Sequence, residues 1–271
     1  MKCISFNTNG IRARPHQLQM LMDKHRPDIV GIQETKAQDA DFPLEMVNNL
    51  GLHAEFFGQK AHYGVALLSQ HPATTVQKGF PGDDDESQKR LISATYALPS
   101  GKSVTVINGY FPQGESREHE TKFPAKMKFY ADLLDYLQKH HKPTDDLIVM
   151  GDMNIAPTDI DLGIGPDSIK RWLKNGKCSF LPEERDWLQS LMDWGLIDTW
   201  RIHHPETHDQ FSWFDYRSRA FERDPKRGLR IDLILATASL AERCTDSGIC
   251  YDIRSMEKPS DHCPIWSSFA I

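Results

Sequence analysis

Short runs of aliphatic and β-branched residues alternate along the chain with segments whose apolar positions recur at helical spacing. Eight runs read as strands: Lys2–Asn7, Asp28–Gln33, Val65–Ser69, Leu91–Leu98, Ser103–Tyr110, Asp146–Gly151, Ile231–Ala236 and Pro264–Ala270. Several are almost continuously apolar, as in LIVM before Gly151 and LILA after Asp232, a pattern that fits strands buried on both faces. Three segments read as helices. Pro15–His25 sets Leu18, Leu21 and Met22 on one face, and Pro27 stops it. Lys122–His140 carries a stripe of Phe123, Met127, Tyr130, Leu134 and Leu137. Pro182–Trp194 has proline in its first turn and Gly195 just past its end. Strands dispersed among helices predict sheet layers covered by helices. No low-complexity linker or fixed-period repeat divides the chain, so residues 1–271 are expected to form one domain.

The composition permits a substantial core: 39% of the 271 residues are hydrophobic and 26% charged. No apolar run approaches the roughly 18 residues that span a bilayer. The opening MKCISFNTNG lacks the apolar stretch of about 7–15 residues found in a signal peptide. The expectation is a soluble, cytoplasmic protein with no membrane partner. Five cysteines, an odd number without a CxxC pair, argue against a zinc site or a disulfide framework and for free thiols. The net charge of −6 counts mildly against a nucleic-acid binder. Between Tyr216 and Arg230, however, six basic residues (Arg217, Arg219, Arg223, Lys226, Arg227 and Arg230) face only Glu222 and Asp224. Such a patch suits phosphates, and Trp213 and Phe214 just before it suit bases or sugars. The plain alternative is a solvated basic loop.

The candidate chemistry sits at strand ends. Asn7 closes the first run, Glu34 follows the second, and Asp152 and Asn154 follow LIVMG. Asp232 lies inside an apolar strand, and Asp261 and His262 precede the last one. Carboxylates and amides with a single histidine make a hard, oxygen-rich set that suits magnesium or manganese rather than zinc. Phosphodiester hydrolysis needs a polarising cation, a carboxylate to align or deprotonate water, and donors for developing charge. Taken singly, each motif has a bland reading. Gly151–Asn154 is equally a turn, His262 equally a satisfied core histidine, and Asp232 a paired structural acid, since a lone buried charge is costly.

Taken together, SFNTNGIRA, IVGIQETK, INGYFPQGES, KFPAK, IVMGDMNIAPTDIDLG, CSFLPEER, FSWFDYRS, GLRIDLIL and SMEKPSDHCPIW resemble the endonuclease/exonuclease/phosphatase family of metal phosphoesterases, in its exonuclease III and abasic-site endonuclease branch. The resemblance implies an α/β fold, a four-layered α/β sandwich of two packed mixed β-sheets flanked by helices. It implies a magnesium cofactor, with manganese as a substitute, and a metal cluster of Asn7, Glu34, Asp152, Asn154, Asp261 and His262. It implies catalytic roles for Tyr110, Asp152, Asn154, Asp232 and His262, with Asp152 handling the attacking water and Asp232 orienting His262. Arg90 and Lys122 resemble DNA-facing positions, and Trp213, Leu229 and Ile231 resemble the lining of a pocket for an extruded abasic sugar. Phe214 and Arg230 join the DNA-binding expectation through the basic, aromatic stretch. Some relatives carry an acid where this chain has Asn9, which leaves one metal ion or two open. The implied function is a DNA phosphodiesterase of base excision repair. Its activities would be 3′-to-5′ exonuclease on double-stranded DNA, incision at abasic sites and removal of blocking 3′ phosphates, in a monomer. Phosphoesterases of inositol phosphates or lipids share the scaffold, but no polybasic amphipathic helix or exposed apolar hairpin is evident.

Overall fold

The computed structural model describes residues 1–271. Its strands are β1 Lys2–Asn7, β2 Ile29–Gln33, β3 His53–Phe57, β4 Val65–Ser69, β5 Thr75–Lys78, β6 Leu91–Ala97, β7 Ser103–Tyr110, β8 Leu147–Asp152, β9 Leu196–Asp198, β10 Asp232–Thr237, β11 Cys244–Ile249 and β12 Ile265–Phe269. The helices are α1 Pro15–His25, α2 Leu44–Asn49, α3 Lys122–His140, α4 Pro166–Lys174, α5 Pro182–Trp194, α6 Thr199–His203, α7 Ala238–Ala241 and α8 Tyr251–Arg254. Two six-stranded sheets result, ordered β11-β12-β1-β2-β4-β3 and β5-β6-β7-β8-β10-β9. Each is mixed: β1–β2 and β7–β8 run parallel, and the other pairs run antiparallel.

Alternation along the strands builds the layers. In β8, Ile148 and Met150 enter the core between the sheets, while Leu147 and Val149 face α3 and α5. In β1, Cys3 points inward, while Ile4 and Phe6 pack with Leu18 and Leu21 of α1 and Val47 of α2. The order is therefore helix, sheet, sheet, helix, the expected sandwich. The sheets approach closely at Gly31, where an added Cβ would lie 2.6 Å from Met150 Cε and 2.9 Å from Asn108 Oδ1. Asn108 crosses this gap, its Nδ2 donating to the carbonyls of Ile32 and Ala66, both at 2.9 Å. Its Oδ1 accepts from Gln33 Nε2 at 2.6 Å.

The three helices read from the sequence occupy their expected spans, but the buried face of α3 differs. Phe129, Leu133 and Tyr136 are buried with Tyr130 and Leu137, whereas Met127 is 49% exposed. The difference arises because Lys126 turns inward, as a paired charge that hydropathy counts as surface. Strands β3, β5, β9 and β11 were not expected from the sequence. All four are sheet edges, and β11 (CTDSGI) also has little apolar content. All five cysteines are free and buried, and no helix is long and apolar enough to cross a membrane.

Arg230 corrects an expectation. It is not a surface cation but one of the largest fully enclosed side chains. Its Nε donates to Asp161 Oδ1 at 2.6 Å and its Nη2 to Asp198 Oδ2 at 2.7 Å. Burial would raise the Asp161 carboxyl, but Arg230 and then Arg201 outweigh it and hold the group below the usual range. Stability from such an acid is present above its unfolded pKa and is lost as pH falls through the lowered folded value. Arg230→Met should therefore destabilise the protein at neutral pH by about 3–5 kcal/mol, because Asp198 loses its cation and Asp161 is left with Arg201 alone. Urea denaturation checks this, and the gap from wild type should narrow as acid protonates Asp161.

Candidate active site

Three adjacent strands end in a row. Tyr110 of β7 pairs in register with Asp152 of β8, which pairs with Asp232 of β10. All three share the parity of inward residues such as Val106, Met150 and Ile234, so their side chains turn toward the facing sheet. From that sheet, Asn7 at the end of β1 donates through Nδ2 to Asp152 Oδ2 at 2.9 Å. The chain after β2 supplies Glu34, and the approach to β12 supplies Asp261 and His262. Residues far apart in sequence thus meet at one end of the sandwich.

His262 Nδ1 lies 2.8 Å from Asp232 Oδ2 and 3.0 Å from Oδ1, and its Nε2 lies 3.7 Å from Asp152 Oδ2. Burial alone would lower the imidazole, but Asp232 and Asp152 outweigh it and hold it up at about 10. Burial pushes Asp152 up to about 7; Asp232 and Glu34 add to the rise, while His262 and a hydrogen bond from Asn7 oppose it. Tyr110 is held well above its ordinary value by burial and by the nearby Glu34 and Asp152 charges, so its hydroxyl stays protonated and available to donate. Asn154 adopts a left-handed φ of 53°. Its backbone N–H donates to Asp152 Oδ1 at 3.1 Å, and one N–H of its amide goes to the Phe111 carbonyl at 3.0 Å.

Asp261 is held by two donors: Asn9 Nδ2 at 2.9 Å and Trp213 Nε1 at 3.1 Å. Lys36, which the sequence reading passed over, sets its ammonium 3.0 Å from Glu34 Oε1 and 2.5 Å from Asn9 Oδ1. The side-chain oxygens of Asn7, Asn9, Glu34, Asp152 and Asp261 are hard ligands of the kind a divalent cation takes. Asp152, Asp232 and His262 also form a group compact enough to ligate. A second such group, His25, Cys250 and Asp252, lies at the α1–α8 seam, where Asp252 already pairs with Lys24 at 2.5 Å.

Beside the site, a cleft of about 490 Å³ is lined by Arg171, Lys177, Arg217, Arg223 and Arg227 together with Trp172 and Trp213. Arg171, Trp172 and Lys177 were missed in the sequence, since α4 lies well away from the basic stretch. Of the six cations in that stretch, Arg217, Arg219 and Arg223 are exposed. Lys226 donates to the Phe221 carbonyl, and Arg227 to the Ile164 carbonyl. Phe214 is wholly enclosed among Phe211, Phe221 and Cys263, which corrects its expected contact with DNA. Leu229 and Ile231 are also buried, packing with Ala156, Ile164 and Phe180 against Trp213, the third residue expected to line an apolar pocket. Arg90 is largely covered, its guanidinium between the rings of Tyr63 and Tyr110 at 4.1 and 4.7 Å and donating to the Tyr110 carbonyl. Lys122 is exposed and pairs with Glu115 at 2.5 Å.

A model of the endonuclease/exonuclease/phosphatase family matches residues 4–262. Exodeoxyribonuclease III of Haemophilus influenzae is 58% identical over 269 residues, spanning 99% of this chain and all of that protein. An AP endonuclease from Archaeoglobus fulgidus superposes with a TM-score of 0.90 at 34% identity. The 3′ phosphatase NExo from Neisseria, solved bound to a product DNA hairpin, gives 0.89 at 35% identity. Both comparisons cover the whole of each chain.

The charge on His262 rests on its neighbours. Asp232→Asn should drop the imidazole midpoint from about 10 toward its ordinary range, because burial then opposes fewer anions. An NMR titration of the metal-free protein checks this.

Proposed function

The chain belongs to the endonuclease/exonuclease/phosphatase family as a phosphodiester hydrolase of its exodeoxyribonuclease III branch, and on that premise we propose that it incises duplex DNA on the 5′ side of abasic sites, trims 3′ nucleotides and removes 3′ phosphates. The observation that carries this reading is the convergence of Tyr110, Asp152, Asp232 and His262 beside Glu34, next to a basic cleft. Glu34 would hold magnesium, with Asp152, Asn154, Asn7, Asp261 and His262 completing or supporting its surroundings; manganese has the same ligand preferences. When bound, such a cation polarises a phosphoryl oxygen and offsets developing negative charge.

The chain's own residues supply the rest. Asp152, fixed by Asn7 and the Asn154 N–H, aligns a water against phosphorus and takes its proton as the oxygen–phosphorus bond forms. The bond to the 3′ oxygen breaks, leaving a 3′ hydroxyl after protonation from solvent and a 5′ phosphate on the abasic sugar. The Tyr110 hydroxyl, the His262 imidazolium and the remaining amide N–H of Asn154 donate to the crowded phosphate oxygens. Asp232 keeps His262 charged and oriented. On the DNA side, Trp213 joins cleft to site: its indole lines the one and its Nε1 holds Asp261 in the other. An unstacked abasic sugar costs less to extrude than a paired nucleotide, which favours such lesions.

Two outcomes are expected. Asp152→Asn should lower incision of a magnesium-supplied abasic duplex by roughly 10²–10⁴-fold, the worth of a general base, with duplex binding retained; undiminished cutting, or cutting in excess chelator, refutes the mechanism. Arg217→Ala should weaken duplex binding and reduce its salt slope by about 1, whereas Arg230→Met should leave that slope unchanged. Binding isotherms across a salt series decide between them.

A further inference from the structure

Helix α3 reaches the loop after β8 from behind, through two side chains one turn apart. The Tyr130 hydroxyl donates to the Met153 carbonyl at 2.7 Å, and Lys126 Nζ donates to the Asn154 carbonyl at 2.8 Å. Lys126 is wholly buried, as is its counter-ion Glu184 on α5, with Nζ 2.5 Å from Oε1. A third acceptor, the Gln113 carbonyl, lies at 3.3 Å, so every ammonium N–H has a partner. Glu184 Oε2 in turn accepts from the backbone N–H groups of Ser179 and Leu181, both at 2.8 Å. The sequence motifs KFPAK and CSFLPEER carry these two residues, and neither has a part in the mechanism above.

A buried ion pair is a weak device for joining two helices, because an apolar pair of similar volume often serves stability as well or better. An apolar pair cannot donate to the Asn154 carbonyl. That residue is held in the left-handed region, a strained conformation that persists only when its surroundings enforce it. Its two flanking peptide groups are both engaged: the N–H by Asp152, and the C=O by Lys126. The ammonium therefore sets the tilt of the backbone that carries the Asn154 amide and aligns the Asp152 carboxylate.

We propose that Lys126, anchored by Glu184, is a positioning residue for the phosphodiester reaction, pinning the Asn154 carbonyl so that its amide and Asp152 keep their working geometry. This rests on the role given to Asn154 above. The test is a neutral pair, Lys126→Met with Glu184→Gln, in which the glutamine carbonyl still accepts from Ser179 and Leu181. Thermal unfolding, KM and kcat are measured with a synthetic abasic duplex at saturating magnesium. The expected protein folds cooperatively and keeps its KM, while kcat falls roughly 10–100-fold, the cost of a small misplacement. In an Asn154→Ala background the same pair of changes should cost clearly less than in the wild type, because the amide is gone and only the hold on Asp152 remains. A folded neutral-pair protein with unchanged kcat overturns the proposal, as does a full additional loss in the Asn154→Ala background. Full activity of Asn154→Ala alone would instead refute the role of Asn154 and remove the basis of the proposal. Should the neutral pair not fold, Lys126→Arg decides: the charge stays against Glu184, but a planar fork replaces the ammonium. Lowered kcat at constant KM then supports the pinning, and unchanged kcat refutes it.

Discussion

The hydrogen bond from Asn7 to Asp152 joins the two sheets at the point where their polar ends meet, and the site is arranged around the carboxylate it fixes. A buried carboxylate must be compensated, since an isolated one is far more costly to bury than a neutral group. Around Asp152 the compensation comes from the Asn7 amide, the Asn154 N–H and the imidazolium of His262. None of these is local to β8 except Asn154. The carboxylate can therefore be satisfied only when both sheets have packed and the segment before β12 has docked. Folding and assembly of the reaction centre are in this sense one event.

The positive charges divide by environment. Arg230 and Lys126 are enclosed and paired with buried acids. Arg217 and Arg223 remain in the cleft that Trp213 also lines, and Arg219 is exposed in the same stretch. The net charge of −6 is thus unevenly spread: acids gather in the candidate site and in ion pairs, while basic side chains line one cleft. Trp213 is the hinge between the two regions, through its bond to Asp261 and its backbone bridge with His262.

Much of this was legible in the sequence. The long apolar strands and the three long helices were readable because strand and helix periods differ so clearly. The position of Asp232 inside an apolar run signalled a paired acid, and His262 is its partner. A finer signal was available in the parity of the strands. Val106, Asn108 and Tyr110 alternate with residues such as Ile107 that face α3, and the same is true of Met150 with Asp152 and Ile234 with Asp232. That parity places the polar residues on the inner faces. The errors have one cause. Phe214 and Arg230 sit in a basic, aromatic stretch whose composition says nothing about which residues turn inward. Arg230 in particular is drawn in by Asp161 and Asp198, which lie tens of residues away. Lys126 was hidden for the same reason, and so was the contribution of α4 to the cleft.

The first and last strands lie side by side, with Met1 and Phe269 exchanging backbone hydrogen bonds at 2.7 Å in both directions. Because β1 runs from this edge to Asn7, both chain ends emerge at the far pole of the sandwich, a strand length from the chemistry. Extra polypeptide fused at either end would leave the DNA approach open, and joining the two ends while cutting a distant exposed loop would preserve every strand pairing. The architecture is thus well suited to modular elaboration by appended segments.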